Sequence, residues 1–190
     1  MKKSETVKEK IIETTIGLLQ SGNGNIEDIT IRQIAEKSGV GIGLINYHFT
    51  SKENLIQICV ERIIKNVIIV FRPNISKDTD KIEMLKEVAK QVMDFLVQNP
   101  EISRISILSD MTAPAILDNT MKTVNGFLST LKGDSRSEQE KLLLTYCMTL
   151  ILQGLFLKRN ITPEALHFDF CAKEDRDTFV DFIIERLYRK

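Results

Sequence analysis

A chain of 190 residues is long enough for one domain, or one domain and a small module, with a core that needs no disulfide or metal. Apolar residues make up 43% and charged residues 27%, a composition typical of folded soluble chains, which excludes wholesale disorder. The nine glycines and four prolines amount to about 7% of the chain, against ~12% in an average protein. Strand-rich folds need frequent turns, so the composition favours an all-α fold.

The cysteines and histidines form no pattern of a disulfide framework or a metal site. Cys59, Cys147 and Cys171 lie far apart and are odd in number, which favours free thiols in a reducing compartment. His48 and His167 are the two histidines, too few for a zinc-binding pattern. We therefore expect neither a metal nor another cofactor.

The N terminus and the apolar stretches predict a cytoplasmic protein with no membrane partner. The basic start is not followed by the small residues of a signal-peptide cleavage site. The longest uncharged stretch, between Lys141 and Lys158, has 16 residues, short of the ~20 that a membrane helix needs. Formal net charge is zero, which neither requires nor excludes nucleic acid, because binding depends on where the charges lie.

Capping signals divide the N-terminal third into four helices. The first is predicted to begin at Thr6, which forms a capping-box pattern with Glu9, and to end at Ser21 before a run of Gly and Asn. A second capping box, Thr30 with Gln33, opens a short helix over 31–38. A second short segment covers 41–49, and Thr50 or Ser51 begins a long helix that ends near Phe71.

The two short helices around Gly39 form a helix-turn-helix pattern. Gly39 supplies a left-handed turn, and the small Ala35 allows the second helix to cross closely. Ile34, Val40 and Ile45 are placed to form a small core between the helices. The second helix would then fit a DNA major groove about 12 Å wide. An ordinary helical hairpin within a bundle is the alternative interpretation.

Further helices follow. They are predicted over Lys81–Gln98, from Pro100, from Pro114 to near Gly133, from a cap of Ser135 with Glu138, and over Lys173–Lys190. The helix that includes Leu142–Leu157 is apolar all round, and the last helix has two apolar faces, which one protomer cannot cover easily. Pairing both with their symmetry mates predicts a homodimer with a four-helix interface. A deep core helix in a monomer is the alternative. The predicted interface residues are Leu142, Cys147, Leu150, Gly154, Phe179, Ile183 and Leu187.

The run Thr30–Leu55, TIRQIAEKSGVGIGLINYHFTSKENL, resembles the N-terminal DNA-binding domain of TetR-family transcriptional regulators. The resemblance extends over about residues 6–67. It implies a DNA-binding domain over residues 1–52, a connecting helix at about 51–71, and a regulatory and dimerisation domain over 53–190. The implied function is a ligand-responsive repressor that binds a palindromic operator as a dimer.

The same resemblance assigns the DNA contacts. Positions that contact phosphate are Thr30, Tyr47, His48 and Lys52, and Arg32 lies where relatives reach a base or phosphate. The recognition helix begins with Gly41, Ile42, Gly43 and Leu44, where bases are read. Asn46 stands where Tyr is commonest in the family, although Asn can pair with adenine.

Two positions depart further from the family pattern. Gly41 replaces the usual Ser or Thr, so the recognition helix lacks a side-chain cap. Leu44 replaces a small polar residue, and with Ile42 it offers the bases only apolar contact.

The resemblance also implies an effector pocket in the middle helices. We expect a small apolar or amphipathic effector there, since these helices carry few charges, and the candidate lining residues are Arg104, Met111, Phe127 and Met148. Plain core packing is the alternative for such apolar residues.

No catalytic motif was found, so we expect that the chain is not an enzyme. The competing functional class is a helical adaptor that uses the same two-helix turn for protein contacts without binding DNA.

Overall fold

The computed structural model describes residues 2–21, 26–70 and 80–189. Within these ranges the chain forms ten α-helices and one short 3₁₀ turn, Ile26–Asp28, and no strand, which confirms the all-α prediction. The helices are α1 (Lys2–Ser21), α2 (Ile31–Ser38), α3 (Ile42–Phe49), α4 (Lys52–Val70), α5 (Lys81–Gln98), α6 (Pro100–Thr112), α7 (Asn119–Thr130), α8 (Glu138–Leu157), α9 (Thr162–Leu166) and α10 (Lys173–Tyr188).

Several predicted boundaries are confirmed and others are wrong. The bounds of α5, the start of α6 at Pro100 and the start of α10 agree with the sequence patterns. The first helix begins at Lys2, four residues before the predicted start, so Thr6 lies inside the helix and does not cap it. The expected end near Phe71 and the C-terminal Lys190 lie outside the described residues.

Two helix starts were placed too early because a better capping side chain follows. The helix expected from Pro114 begins at Asn119, where Asp118 accepts hydrogen bonds from the backbone N–H of Met121 at 2.8 Å and of Ala115 at 3.2 Å. The cap expected at Ser135 is Ser137, whose hydroxyl accepts from the Glu140 N–H at 3.1 Å. Short α9 was not predicted.

The contacts divide the chain into two compact units. The first comprises Met1–Ile69 and Pro100–Thr112, and the second comprises Val70–Asn99 and Ala113–Lys190. The helix α6 thus groups with the N-terminal helices, although it follows α5 in sequence. The functional boundary near residue 52 remains a prediction.

In the first unit α1 packs on α2 and α3, which also pack on each other. Helix α4 joins them through Cys59, whose Sγ lies 3.7 Å from the Ile12 carbonyl oxygen, and through an ion pair of Arg62 with Glu9. Helix α6 is tied to α4 by a hydrogen bond of 2.8 Å from Gln57 Nε2 to Ser109 Oγ. Helices α1, α2 and α3 of this unit therefore pack on one another, α4 contacts α1, and α6 contacts α4.

In the second unit α5, α7, α8 and α10 form a helical bundle. The apolar interior includes Phe127, Met148, Leu152, Phe156 and Val180, each at most 1% exposed. Charged side chains from α5 and α10 run along one seam of this bundle. They pair Lys86 with Glu185 at 2.5 Å, Lys90 with Asp181 at 2.8 Å and Asp94 with Arg176 at 2.5 Å.

Helix α8 combines core packing with an exposed apolar face. Among the described helices it is the one whose length and apolar composition would also suit a membrane span, because it extends beyond the 16 uncharged residues into Glu138–Lys141. Its buried side carries Met148, Leu152 and Phe156, each 0% exposed, as a core helix of a folded domain does.

Candidate nucleic-acid interface

The turn between α2 and α3 has the geometry that the sequence pattern predicts. The Thr30 hydroxyl accepts from the Gln33 N–H at 3.2 Å, and the Gln33 side chain accepts from the Thr30 N–H at 2.8 Å, which confirms the capping box. Gly39 ends α2 in the left-handed conformation with φ 64°, and its N–H donates to the carbonyls of Ala35 and Glu36. These local hydrogen bonds determine where α2 begins and where it ends, and the chain turns toward α3 at Gly39.

A small apolar core holds α3 against α2. Ile34, Ile45 and Phe49 are each at most 1% exposed, and Ala35 is also buried. Val40, which was expected to complete this core, is only half-buried, because it lies in the turn itself. Ile45 and Phe49 lie four residues apart, so they define the inner side of α3 and leave the opposite side outward.

The exposed positions of α3 include most of the residues that were expected to contact DNA. Ile42 and Leu44 are 44% and 45% exposed, Tyr47 is 79% exposed, and Gly43 and Asn46 are exposed as well. His48 is half-buried, with its ring 5.2 Å from that of Tyr47 and 6.1 Å from that of Phe49. The structure therefore leaves most of the predicted base-reading residues accessible.

The N terminus of α3 lacks a side-chain cap, as expected. Gly41 precedes the helix with φ −70° and ψ 145°, and no side chain there accepts a backbone N–H. Free backbone N–H groups at such a terminus can donate to phosphate oxygens, and the helix dipole adds to the attraction.

Helix α4 begins beside this surface. The Ser51 hydroxyl accepts from the Asn54 N–H at 3.1 Å, so Ser51 is its cap, whereas Thr50 has a positive φ of 63°. A backbone hydrogen bond and the Ser51 hydroxyl lower the pKa of Glu53, as suits an anionic side chain in the first turn of a helix. Lys52 is half-buried at this helix start, and Arg32 is exposed on α2.

Two lysines of α1, which no motif in the sequence singles out, lie close to the same helix-turn-helix. Lys8 Nζ lies 5.8 Å from the centre of the Phe49 ring, and Lys10 Nζ lies 3.6 Å from where a Cβ on Gly39 would sit. Both side chains are exposed. Their proximity depends on how α1 crosses α2 and α3, and no spacing rule in the sequence could have identified it.

The candidate dimer residues lie on the second unit with partly exposed side chains. On α8, Leu142 and Leu150 are 39% and 36% exposed, Cys147 is exposed and Gly154 is half-buried. On α10 the three candidates are half-buried: Phe179, Ile183 and Leu187. Helices α8 and α10 pack on each other, so the two sets belong to neighbouring helices.

The candidate pocket residues fall into two groups. Phe127 and Met148 are buried in the second unit, on helices α7 and α8 that pack together. Arg104 and Met111 belong to α6 in the first unit, where Met111 is 46% exposed and Arg104 pairs with Glu101 at 3.8 Å. Among the described residues, no group of three or more His, Cys, Asp or Glu side chains is arranged to hold a metal ion.

Comparisons with known proteins agree with this geometry. Residues 21–58 match the model of bacterial regulatory proteins of the tetR family. The nucleoid occlusion factor SlmA of Actinobacillus pleuropneumoniae is 28% identical over 104 residues, 53% of this chain and 51% of that protein. The chain thus spans about half the length of the curated relatives it matches.

Solved structures share the fold over nearly the whole chain. A TetR transcriptional regulator from Rhodococcus sp. RHA1 has a TM-score of 0.63 at 15% identity, over 98% of this chain and 97% of that one. The regulator FadR from Bacillus subtilis, in complex with stearoyl-CoA, has a TM-score of 0.58 at 14% identity, over 95% and 97% of the two chains. This likeness concerns the fold, and the match of residues 21–58 to regulatory proteins supports the expectation of a regulator. Residues 21–58 thus match the tetR family of bacterial regulatory proteins, and the chain as a whole has the fold of a TetR transcriptional regulator.

Proposed function

We propose that this protein is a ligand-responsive transcriptional repressor that binds a palindromic operator as a homodimer. The observation that carries the proposal is the accessibility of α3, where Ile42, Leu44, Asn46 and Tyr47 are exposed on a capped helix-turn-helix. A helix with this placement enters the major groove while neighbouring groups hold the phosphates.

Placed groups around α3 would supply the phosphate contacts. The N termini of α2 and α4, capped by Thr30 and Ser51, present backbone N–H groups, and Lys52 adds a cation at the second of them. Tyr47 and His48 on α3 and Arg32 on α2 complete the proposed set. Lys8 and Lys10 of α1 extend it at the edge of the motif.

The homodimer would form through α8 and α10. Beyond the residues named above, α8 exposes Leu143, Tyr146 and Ile151 at 56%, 39% and 37%, and α10 exposes Phe182 at 51%. An apolar surface of this kind on two neighbouring helices is characteristic of an interface rather than of free solvent-facing helices. In a two-fold dimer the two α3 helices would read half-sites about 34–36 Å apart, or a multiple of that, which requires a palindrome.

The effector would bind among the apolar side chains of the second unit, near Phe127 and Met148, in a cytoplasmic protein with no membrane partner. The likeness to FadR with its bound stearoyl-CoA supports an apolar or amphipathic compound. Such a compound releases the operator only if it binds the DNA-competent and incompetent states differently. A coupling of about 1–3 kcal/mol would change DNA affinity about 5- to 150-fold.

In the first unit the Gln57–Ser109 hydrogen bond ties α6 to α4, which begins beside the DNA-reading helix.

A salt titration of duplex binding tests the proposal against the adaptor alternative. The full chain is titrated into a labelled random duplex and a duplex selected for tight binding, between about 50 and 200 mM salt. We expect log affinity to fall steeply and linearly with log salt, with tighter binding to the selected palindrome. An adaptor would show no salt-dependent binding to either duplex, and that result would refute the proposal.

A thermal-shift screen tests the effector. Compounds that raise the melting temperature are retested for loss of operator binding, and we expect the effective ones to be apolar or amphipathic. Hits that lack an apolar part, or that stabilise the protein without affecting DNA, would contradict the effector proposal and leave the DNA-binding proposal intact.

A further inference from the structure

The chemistry of the α3 surface restricts which bases it can read, and this inference rests on the proposed DNA-binding function. The segment Ile42–Phe49 contains no Lys, Arg, Asp or Glu. Its exposed side chains are instead aliphatic, aromatic or amide groups, with Ile42 and Leu44 each nearly half exposed.

Each base pair presents a different chemical pattern in the major groove. Guanine is read most often by Arg or Lys at O6 and N7, and cytosine N4 donates to Asp or Glu. Thymine presents a C5-methyl group that apolar side chains contact, and Asn pairs with adenine N6 and N7. The side chains of α3 include the apolar and Asn groups that contact thymine and adenine. They include none of the charged groups that read guanine and cytosine.

We propose that α3 reads A·T base pairs, with Ile42 and Leu44 in contact with thymine C5-methyl groups and Asn46 paired with adenine. Ile42 and Asn46 lie four residues apart, so they share one flank of the helix, and Leu44 lies on the other flank. The two flanks therefore address different base pairs of one half-site.

Gly41 and Gly43 permit the close approach that such short apolar contacts need. A Cβ on either glycine would meet nothing within 4 Å, and neither has the positive φ that favours glycine. Glycine lowers helix stability relative to alanine, so the fold of this unit gains nothing from Gly43. With Tyr47, Gly43 lies on the side opposite Ile45 and Phe49, and its missing side chain lets the helix backbone approach the base edges.

The test removes thymine methyl groups one at a time. Half-sites are selected from random duplexes with the full chain, and each dT in them is then replaced by dU, which changes only the C5 substituent. We expect A·T pairs under α3, and a loss of affinity of about three- to fivefold at each contacted methyl, from the transfer free energy of one buried carbon. Leu44→Ala should abolish the sensitivity to dU at one position and Ile42→Ala at another.

Matched variants separate base reading from folding. Ile116→Ala removes a side chain that is 88% exposed in the turn before α7, and it should leave every dU effect unchanged. Gly43→Ala should raise the melting temperature and yet weaken operator binding, two changes of opposite sign that a purely structural glycine would not produce.

The outcomes distinguish this inference from the function on which it rests. Selected half-sites with G·C pairs under α3, indifference of the unmodified protein to dU, or salt-dependent binding without any sequence preference would overturn the inference and leave DNA binding intact. Unchanged operator affinity in Gly43→Ala would overturn the role of the glycines. Absence of binding to any duplex would overturn both proposals.

Discussion

Lys52 and Cys59 lie seven residues apart on α4 and have opposite surroundings. Lys52 is half-buried at the helix start beside the DNA-reading surface. Cys59 is 0% exposed against α1, and burial raises the pKa of its thiol to about 12. The Lys52 side chain is therefore partly accessible to solvent, whereas the Cys59 thiol is enclosed by the protein.

Lys52→Ala should weaken binding to all duplexes about equally, because a phosphate contact carries no base information. The slope of log affinity against log salt should fall by about one unit per protomer. Binding titrations at several salt concentrations measure both effects. Lys132→Ala, which removes an exposed lysine of the second unit, is the control and should change neither. A change in sequence preference in Lys52→Ala would contradict the phosphate role.

Cys59 should not react with a thiol reagent in the folded protein at pH 7–9, because the thiolate is the reactive form and a pKa of about 12 keeps the thiol protonated. Exposed Cys171 is the internal control and should react readily. Mass spectrometry of the labelled peptides, before and after addition of denaturant, locates the modified residues. Labelling of Cys59 at the rate of Cys171 in the native state would show that α4 separates readily from α1.

At the scale of elements, the seam between α5 and α10 is held by paired charges rather than by apolar contact alone. Arg176 is 4% exposed, donates to the carbonyls of Phe170 and Cys171 at 3.1 and 3.0 Å, and pairs with Asp94. Burial opposes the ionisation of Asp94, but hydrogen bonds from Lys173 and Arg176 outweigh it and lower the Asp94 pKa. The pair therefore stabilises the bundle as ions.

Asp94→Asn should lower the free energy of unfolding by about 2 kcal/mol at pH 7, because it leaves the buried Arg176 charge without a counter-ion. The Asp94 pKa is lower in the folded chain, so its contribution is present above its unfolded pKa and is lost as pH falls through the folded value. The urea unfolding curves of the two proteins should therefore begin to converge only below the unfolded Asp94 pKa of about 3.8, and they should coincide below the folded pKa.

The control for this variant is a more exposed ion pair. Glu101→Gln removes the partner of Arg104, a pair at 3.8 Å with side chains 33% and 53% exposed. It should change the free energy of unfolding by less than about 0.5 kcal/mol. Equal effects of the two substitutions would refute the special role of the buried pair.

At the scale of the whole molecule, the exposed apolar face of α8 determines the expected oligomeric state. Leu150→Glu should convert the proposed dimer to a 21.7 kDa monomer, because a carboxylate in an apolar interface has no partner. Sedimentation at micromolar concentration measures the change. Leu166→Glu, at a residue of α9 that is 54% exposed, should leave the dimer intact. A monomeric unmodified protein would contradict the interface.

Thiol labelling gives a second measure of the same interface. Cys147 lies on the exposed side of the α8 helix in the single chain, so a dimer through this face would protect it. We expect slow labelling of Cys147 in the unmodified protein and fast labelling in Leu150→Glu. Equal rates in both proteins would place the dimer contact elsewhere.

Local sequence signals determined the helix-turn-helix, whereas the later helix starts depended on which of several capping residues the chain used. The box of Thr30 with Gln33 and the positive φ of Gly39 were predicted correctly, because each depends on residues within a few positions. Ser137 and Asp118 cap their helices instead of the residues expected, since neighbouring polar side chains compete for the same backbone groups.

Contacts between distant residues were decided only by the tertiary structure. Lys86 meets Glu185 across 99 positions and Arg176 meets Asp94 across 82, and no periodicity in the sequence pairs such residues. Likewise the helical periodicity does not distinguish the apolar residues Phe127, Met148 and Leu150 from one another. In the structure the first two are buried, whereas Leu150 is 36% exposed. The sequence by itself determined the helical class of the long elements, because capping and periodicity are local, although it did not reveal the short α9. Which faces meet depends on how helices far apart in the chain cross, and this only the packed structure establishes.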